Sequence, residues 1–132
     1  MAGGELIGRS VMLVEDEPFT RAVVARIVGT LGAEQVLQAG DGAEALAAIE
    51  SVQPNLVLCD VEMEPVDGLS FLRALRAGGA PWRKTVPVLF MTNRIDQATV
   101  EAAYPLGVEV FVVKPVTADA LRDALRRLPF AA

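Results

Sequence analysis

Val11-Met12-Leu13-Val14-Glu15-Asp16-Glu17 decides the fold. Four consecutive apolar residues without alternation read as a strand covered on both faces. Three acids end the run. Taken alone they are the acidic start of a helix, favoured by its dipole.

The same pattern recurs at Val36 to Ala39, Leu56 to Cys59, Val86 to Met91 and Val110 to Val113. Gln38 interrupts the second run, as suits an edge strand. Five helical patterns follow the five runs. Val23, Val24, Ile27, Val28 and Leu31 form a stripe that Gly32 ends, with Arg21, Arg26 and Thr30 on the surface. Asp41 and Glu44 make a capping-box start ahead of Ala45, Leu46 and Ile49. Phe71, Leu72 and Leu75 belong to a third helix that stops at Gly78-Gly79-Ala80-Pro81. Asp96 caps a fourth, with Ile95 and Val100 as a hydrophobic staple. Thr117 caps a fifth, built on Leu121, Ala124, Leu125 and Leu128. Trp82, between the third helix and the fourth strand, reads as a half-buried loop anchor. Strand–helix alternation of this kind requires crossover connections, hence an α/β sandwich with a parallel sheet between two helical layers.

The chain has 132 residues with 52% hydrophobic content, enough for one core and short for two. We expect a single domain over 1–132, its core about 9–128, with no output domain attached. A net charge of −5 argues against direct nucleic-acid binding. The absence of histidine removes imidazole catalysis and His-ligated zinc. A lone cysteine, Cys59, reads as a small buried strand residue. The start Met1-Ala2-Gly3-Gly4-Glu5 has no leader pattern, and no apolar run nears the ~18 residues that span a bilayer. A cytoplasmic location without membrane contact is the expectation.

Open parallel sheets bind ligands outside the carboxyl ends of their strands. Glu15 and Asp16 follow the first run, Asp60 the third, Thr92 the fourth, and Lys114 with Pro115 the fifth. Carboxylates gathered at one rim repel each other unless a cation joins them, and an all-oxygen set selects a hard ion such as Mg²⁺. Lys114 supplies a point charge for a phosphoryl oxygen, and Thr92 a hydroxyl donor. The set reads as a site that holds or transfers a phosphoryl group.

Val11 to Pro18, Leu56 to Asp60, Met63, Asp67-Gly68, Phe90-Met91-Thr92 and Val113-Lys114-Pro115 together resemble the receiver domain of two-component response regulators, of the stand-alone, chemotaxis-regulator-like type. The resemblance implies a flavodoxin-like sandwich, a five-stranded sheet in order 2-1-3-4-5 with five helices. It implies Asp60 as the phosphoacceptor for a sensor histidine kinase or phosphotransfer protein. Mg²⁺ would be bound by Asp16, Asp60 and the backbone carbonyl of Glu62, with Glu15 acting through water. Lys114 pairs with the phosphoryl group, Thr92 swings to it, and Phe111 is the aromatic switch. Pro115 is expected in the cis form. The product is a signalling phosphoprotein that catalyses only its own phosphorylation and dephosphorylation. It meets a downstream target protein on the face of the fourth helix, fifth strand and fifth helix, as a monomer or weak homodimer.

Two departures stand out. The family's usual proline position holds Glu64, with Pro65 one place later, although Gly68 keeps its spacing. Glu62 and Arg94 occupy variable positions beside the site, and we expect them to pair and screen the acyl phosphate from water. A haloacid-dehalogenase-like phosphatase is the alternative. It shares the Asp, Thr or Ser, Lys and Mg²⁺ order, but places its extra acidic pair after the lysine, whereas here Glu15-Asp16 comes before Asp60.

Overall fold

Every apolar run becomes a strand. In the computed structural model, which describes residues 4–128, these are β1 (Ser10–Val14), β2 (Gln35–Ala39), β3 (Leu56–Asp60), β4 (Val88–Thr92) and β5 (Phe111–Val113). All pairs are parallel, in the order β2-β1-β3-β4-β5. The central strands β3 and β4 are buried at every residue, while the edges β2 and β5 are only partly covered. That contrast is why the central runs carry no polar interruption and Gln38 is tolerated in β2. β4 starts later than expected because Pro87 has no N–H to donate. Its carbonyl still accepts from Val57.

Among the described residues, six α-helices follow or join the strands: α1 (Pro18–Thr30), α2 (Gly42–Val52), α3 (Gly68–Ala77), α4 (Trp82–Thr85), α5 (Gln97–Ala103) and, after β5, α6 (Ala118–Arg126). The expected caps form at Asp41, Asp96 and Thr117, each accepting from the backbone N–H three residues on. Glu44 also reaches back to the Gly40 N–H at 3.2 Å, completing the box one residue early. Successive strand residues face opposite sides of the sheet, so the core divides in two. Val11 and Leu13 join Val24, Val28, Leu121 and Leu125 on the side of α1 and α6. Met12 and Val14 join Ile49, Phe71, Leu72 and Leu75 on the side of α2 and α3.

Three expectations change. Trp82 opens a one-turn helix, α4, instead of lying in a loop; it stays half-buried, its indole Nε1–H without a partner among the described residues. Arg83 explains the turn, because its guanidinium donates to the Leu75 and Ala74 carbonyls and so caps the C-terminal end of α3. Val23 is 38% exposed and leaves the α1 stripe, and Ile95 is 47% exposed, so no buried staple forms at α5. Readings drawn from Met1, Ala2 and Gly3 and from the tail Pro129-Phe130-Ala131-Ala132 lie outside the described residues. No helix among the described residues is long and apolar enough to cross a membrane.

Candidate functional site

β1 and β3 are neighbours in parallel register, with Val14 opposite Cys59. One step further along, Glu15 and Asp60 therefore stand side by side at the carboxyl rim. The acidic triplet divides here by position. Glu15 is 0% exposed, and its Oε2 accepts from the Glu17 N–H at 3.1 Å. Asp16 points outward and accepts from the Glu64 N–H at 3.3 Å. Glu17 alone keeps the helix-start role, capping α1 through the N–H groups of Thr20 and Phe19.

Asp60 ends β3 and is 1% exposed. Its Oδ1 lies 3.1 Å from Lys114 Nζ and accepts from the Glu62 N–H at 3.2 Å. Lys114 follows β5, two strands from β3, so its side chain crosses β4 to arrive, a span of roughly 9–10 Å between strand axes. Its own N–H continues the ladder to the Thr92 carbonyl at 2.7 Å, which fixes where the side chain starts. The same Nζ lies 3.4 Å from Glu15 Oε1. The following Lys114–Pro115 peptide is cis, as the resemblance implies, and Glu64–Pro65 is cis as well.

Helix α3 approaches this rim through Gly68. A Cβ there would overlap the Asp60 carbonyl oxygen and come within 2.9 Å of Val61 Cα. Glycine is required because the backbone itself is the neighbour and has nowhere to move. Asp67 caps α3 through the Ser70 N–H at 2.7 Å and keeps that approach in place.

Burial raises the Glu15 carboxyl to about 7, opposed by the Glu17 N–H and Lys114 and reinforced by the charge of Asp60. Burial also raises Asp60, against the hydrogen bond and charge of Lys114. Burial works against the Lys114 ammonium, but its hydrogen bond to Asp60 and the charges of Asp60 and Glu15 outweigh that and hold it above its ordinary value. One ammonium does not balance two buried carboxylates with a third beside them.

One oxygen each from Glu15, Asp16 and Asp60 lies within 4.8 Å of the others. The donors are all oxygen, since the chain has no histidine and the Cys59 thiol is buried against the Asp60 carbonyl. A hard divalent ion fits both this donor set and its excess negative charge.

Thr92 ends β4 and is 2% exposed. Its hydroxyl lies 2.7 Å from Glu62 Oε2 and 2.9 Å from the Arg94 carbonyl. Glu62 also accepts from the Asn93 N–H at 3.2 Å. This corrects the expected Glu62–Arg94 pair: among the described residues no ion pair joins them. Glu62 is occupied by Thr92 and Asn93, and the Arg94 charge acts on Asp96 instead. Phe111 is half-buried, its ring centroid 5.8 Å from that of Phe90.

Two residues here escaped the sequence reading. The α1 pattern puts Arg21 on the surface, yet its Nη1 donates to the Glu15 carbonyl at 2.8 Å and braces the acidic loop. A cation near the N-terminal end of α1, where the dipole disfavours it, was the available signal. Asn93 gave none; it matters only because Glu62 reaches it. A groove of about 300 Å³ runs beside Lys114, lined by Phe19, Thr20, Val23, Asn93 and Val116.

The arrangement matches known proteins along its length. The positive alginate biosynthesis regulatory protein of Pseudomonas aeruginosa is 35% identical over 120 residues, 89% of this chain and 46% of that protein. The regulator of RpoS from Escherichia coli is 35% identical over 84% of this chain and 32% of its own length. The chain thus spans less than half the length of these two relatives. A probable chemotaxis protein CheY of Rhizobium etli is 30% identical over 87% of this chain and 88% of that protein. Among solved structures, Vibrio cholerae CheY4 superposes with a TM-score of 0.83 at 26% identity, covering 92% of this chain and 98% of that one. The receiver domain of the sensor histidine kinase PA1611 from Pseudomonas aeruginosa superposes at 0.79 with 28% identity, covering 91% and 96%. That structure carries a magnesium ion coordinated in its active-site cleft. The phosphatase alternative draws no support from these matches. The response regulator receiver domain profile runs from residue 11 to residue 126, through every strand end described above, and the chain belongs to that family.

Proposed function

We propose that Asp60 accepts a phosphoryl group from a phosphohistidine on a sensor kinase or phosphotransfer protein. An Asp60 carboxylate oxygen attacks phosphorus; the P–O bond forms as the P–N bond breaks, and the electron pair leaves on the imidazole nitrogen. The observation that carries this reading is Lys114 Nζ at 3.1 Å from the buried Asp60 Oδ1, with Glu15 and Asp16 converging on the same point. Asp16, Asp60 and the Glu62 carbonyl would hold Mg²⁺, with Glu15 acting through water, and the ion neutralises phosphoryl charge when bound. Lys114 takes a phosphoryl oxygen and fixes its orientation.

The signal then leaves through Thr92, which moves to the phosphoryl group, and Phe111, which turns inward toward Phe90. Both lie on the path to the face of α5, β5 and α6, where Tyr104, Ile95 and Val113 are exposed and a downstream protein would dock. With the one-turn α4 counted, the helices on either side of β5 are α5 and α6, the fourth and fifth of the long helices expected from the pattern. The chain acts as a cytoplasmic signalling phosphoacceptor whose chemistry is confined to itself.

Transfer of radiolabel from a phosphorylated histidine kinase tests the assignment. The wild-type chain is expected to take label with Mg²⁺ and lose that ability in chelator, and Asp60→Asn to take none. Undiminished labelling of Asp60→Asn overturns it.

A further inference from the structure

We infer that the Glu62 carboxylate is a latch that holds Thr92 in its resting position and must release it before the switch operates. The inference rests on the phosphoacceptor reading above and adds a residue to it.

A threonine hydroxyl has one proton to donate. Two acceptors lie within reach, Glu62 Oε2 at 2.7 Å and the Arg94 carbonyl at 2.9 Å. The carboxylate is charged and nearer, so it takes the proton in the stronger bond. The hydroxyl oxygen in turn accepts from the Arg94 N–H at 3.3 Å. Donation to a phosphoryl oxygen on Asp60 therefore requires the Glu62 bond to break. The latch is braced at its other end, because Glu62 Oε1 accepts from the Asn93 N–H at 3.2 Å and faces Asn93 Nδ2 at 3.5 Å.

Nothing in the packing demands this arrangement. Glu62 is exposed, and its side chain leans back over the rim to reach a threonine that is almost fully buried. Its backbone meanwhile touches the acceptor, the Glu62 N–H donating to Asp60 Oδ1 at 3.2 Å. One residue thus contacts the phosphoacceptor through its peptide and the switch hydroxyl through its carboxylate. Adding a phosphoryl group to Asp60 brings negative charge beside the Glu62 carboxylate, and like-charge repulsion favours its departure. Resting-state hold and triggered release come from the same charge.

The test is a double-mutant cycle on binding of the phosphoryl mimic beryllofluoride with Mg²⁺, followed by the amide NMR signals of Asn93 and Phe111. Glu62→Ala is expected to bind the mimic roughly three- to tenfold more tightly than wild type, because no charge-assisted bond is broken on switching. In a Thr92→Val background the same substitution is expected to change affinity less than twofold, since no hydroxyl remains to be held. Unchanged or weaker binding by Glu62→Ala overturns the latch. Equal gains in both backgrounds also overturn it, showing that Glu62 acts by repelling the mimic and not through Thr92. If the wild-type chain gives no Asp60-dependent response to the mimic, the phosphoacceptor reading itself fails, an outcome distinct from the other two.

Discussion

Lys114 Nζ stands 3.1 Å from Asp60 Oδ1 and 3.4 Å from Glu15 Oε1, a single ammonium between two carboxylates that solvent does not reach. Its position is set by β5, theirs by β3 and β1, so the charge balance of the site depends on the sheet order. Without the lysine, the two buried carboxyls would face each other with no positive charge between them.

Replacing Lys114 by Met keeps most of the stem and removes the charge. In chelator at pH 7.5 we expect a loss on the order of 3–5 kcal/mol, since removing one partner of a buried ion pair leaves the other uncompensated. Urea unfolding with and without Mg²⁺ measures it, and added Mg²⁺ should restore part of the loss. Phosphorylation of Lys114→Ala should persist, while the Phe111 signal stops responding to it.

The metal-free protein should become less stable as pH rises between about 4.5 and about 7. Folded Glu15 holds its proton up to about 7, whereas the unfolded chain gives it up near the ordinary value of 4.5. Within that window the native state binds more protons, so stability falls with pH and levels off above it. Asp60, also raised, acts in the same direction. The chain has no histidine to obscure the effect. Thermal unfolding across pH in chelator should show the decline for wild type and a flatter profile for Glu15→Gln.

Mg²⁺ should reverse that penalty. At a hundred times its dissociation constant, a ligand confined to the native state adds about 2.7 kcal/mol. Asp16→Asn, an exposed position, should leave the metal-free melting temperature nearly unchanged and weaken the Mg²⁺ response, since Mg²⁺ is held through one or two carboxylates. An Asp16→Asn protein that titrates like wild type would remove Asp16 from the ligand set.

Gly68→Ala should cost about 1–3 kcal/mol, because the new methyl meets the Asp60 carbonyl and Val61 backbone. The same shift moves α3 against Asp60, the proposed acceptor, so phosphoryl transfer should slow along with the loss of stability. Exposed Gly79, where an added Cβ meets nothing within 4 Å, is the control, and Gly79→Ala should be close to neutral.

The sequence alone determined the strands, the parallel sheet and the rim residues. Apolar runs longer than one side of a sheet can use admit few other folds, and four of the five runs end at a polar residue of the candidate site, the second ending at Ala39-Gly40. Asp60 and Lys114 were legible for that reason, as were the caps at Asp41, Asp96 and Thr117. Tertiary structure decided what lies between side chains from different elements. It set Glu15 buried beside Lys114, Asp16 outward at the Glu64 N–H and Glu17 on the α1 cap, turned Trp82 into a helix through the Arg83 bonds to α3, brought Arg21 to the Glu15 carbonyl, and gave Glu62 to Thr92 and Asn93 instead of Arg94. Periodicity records which face of an element is buried. It carries no information about which polar atom a long, flexible side chain finds across a gap, because that choice is made by distances that exist only once the chain has folded.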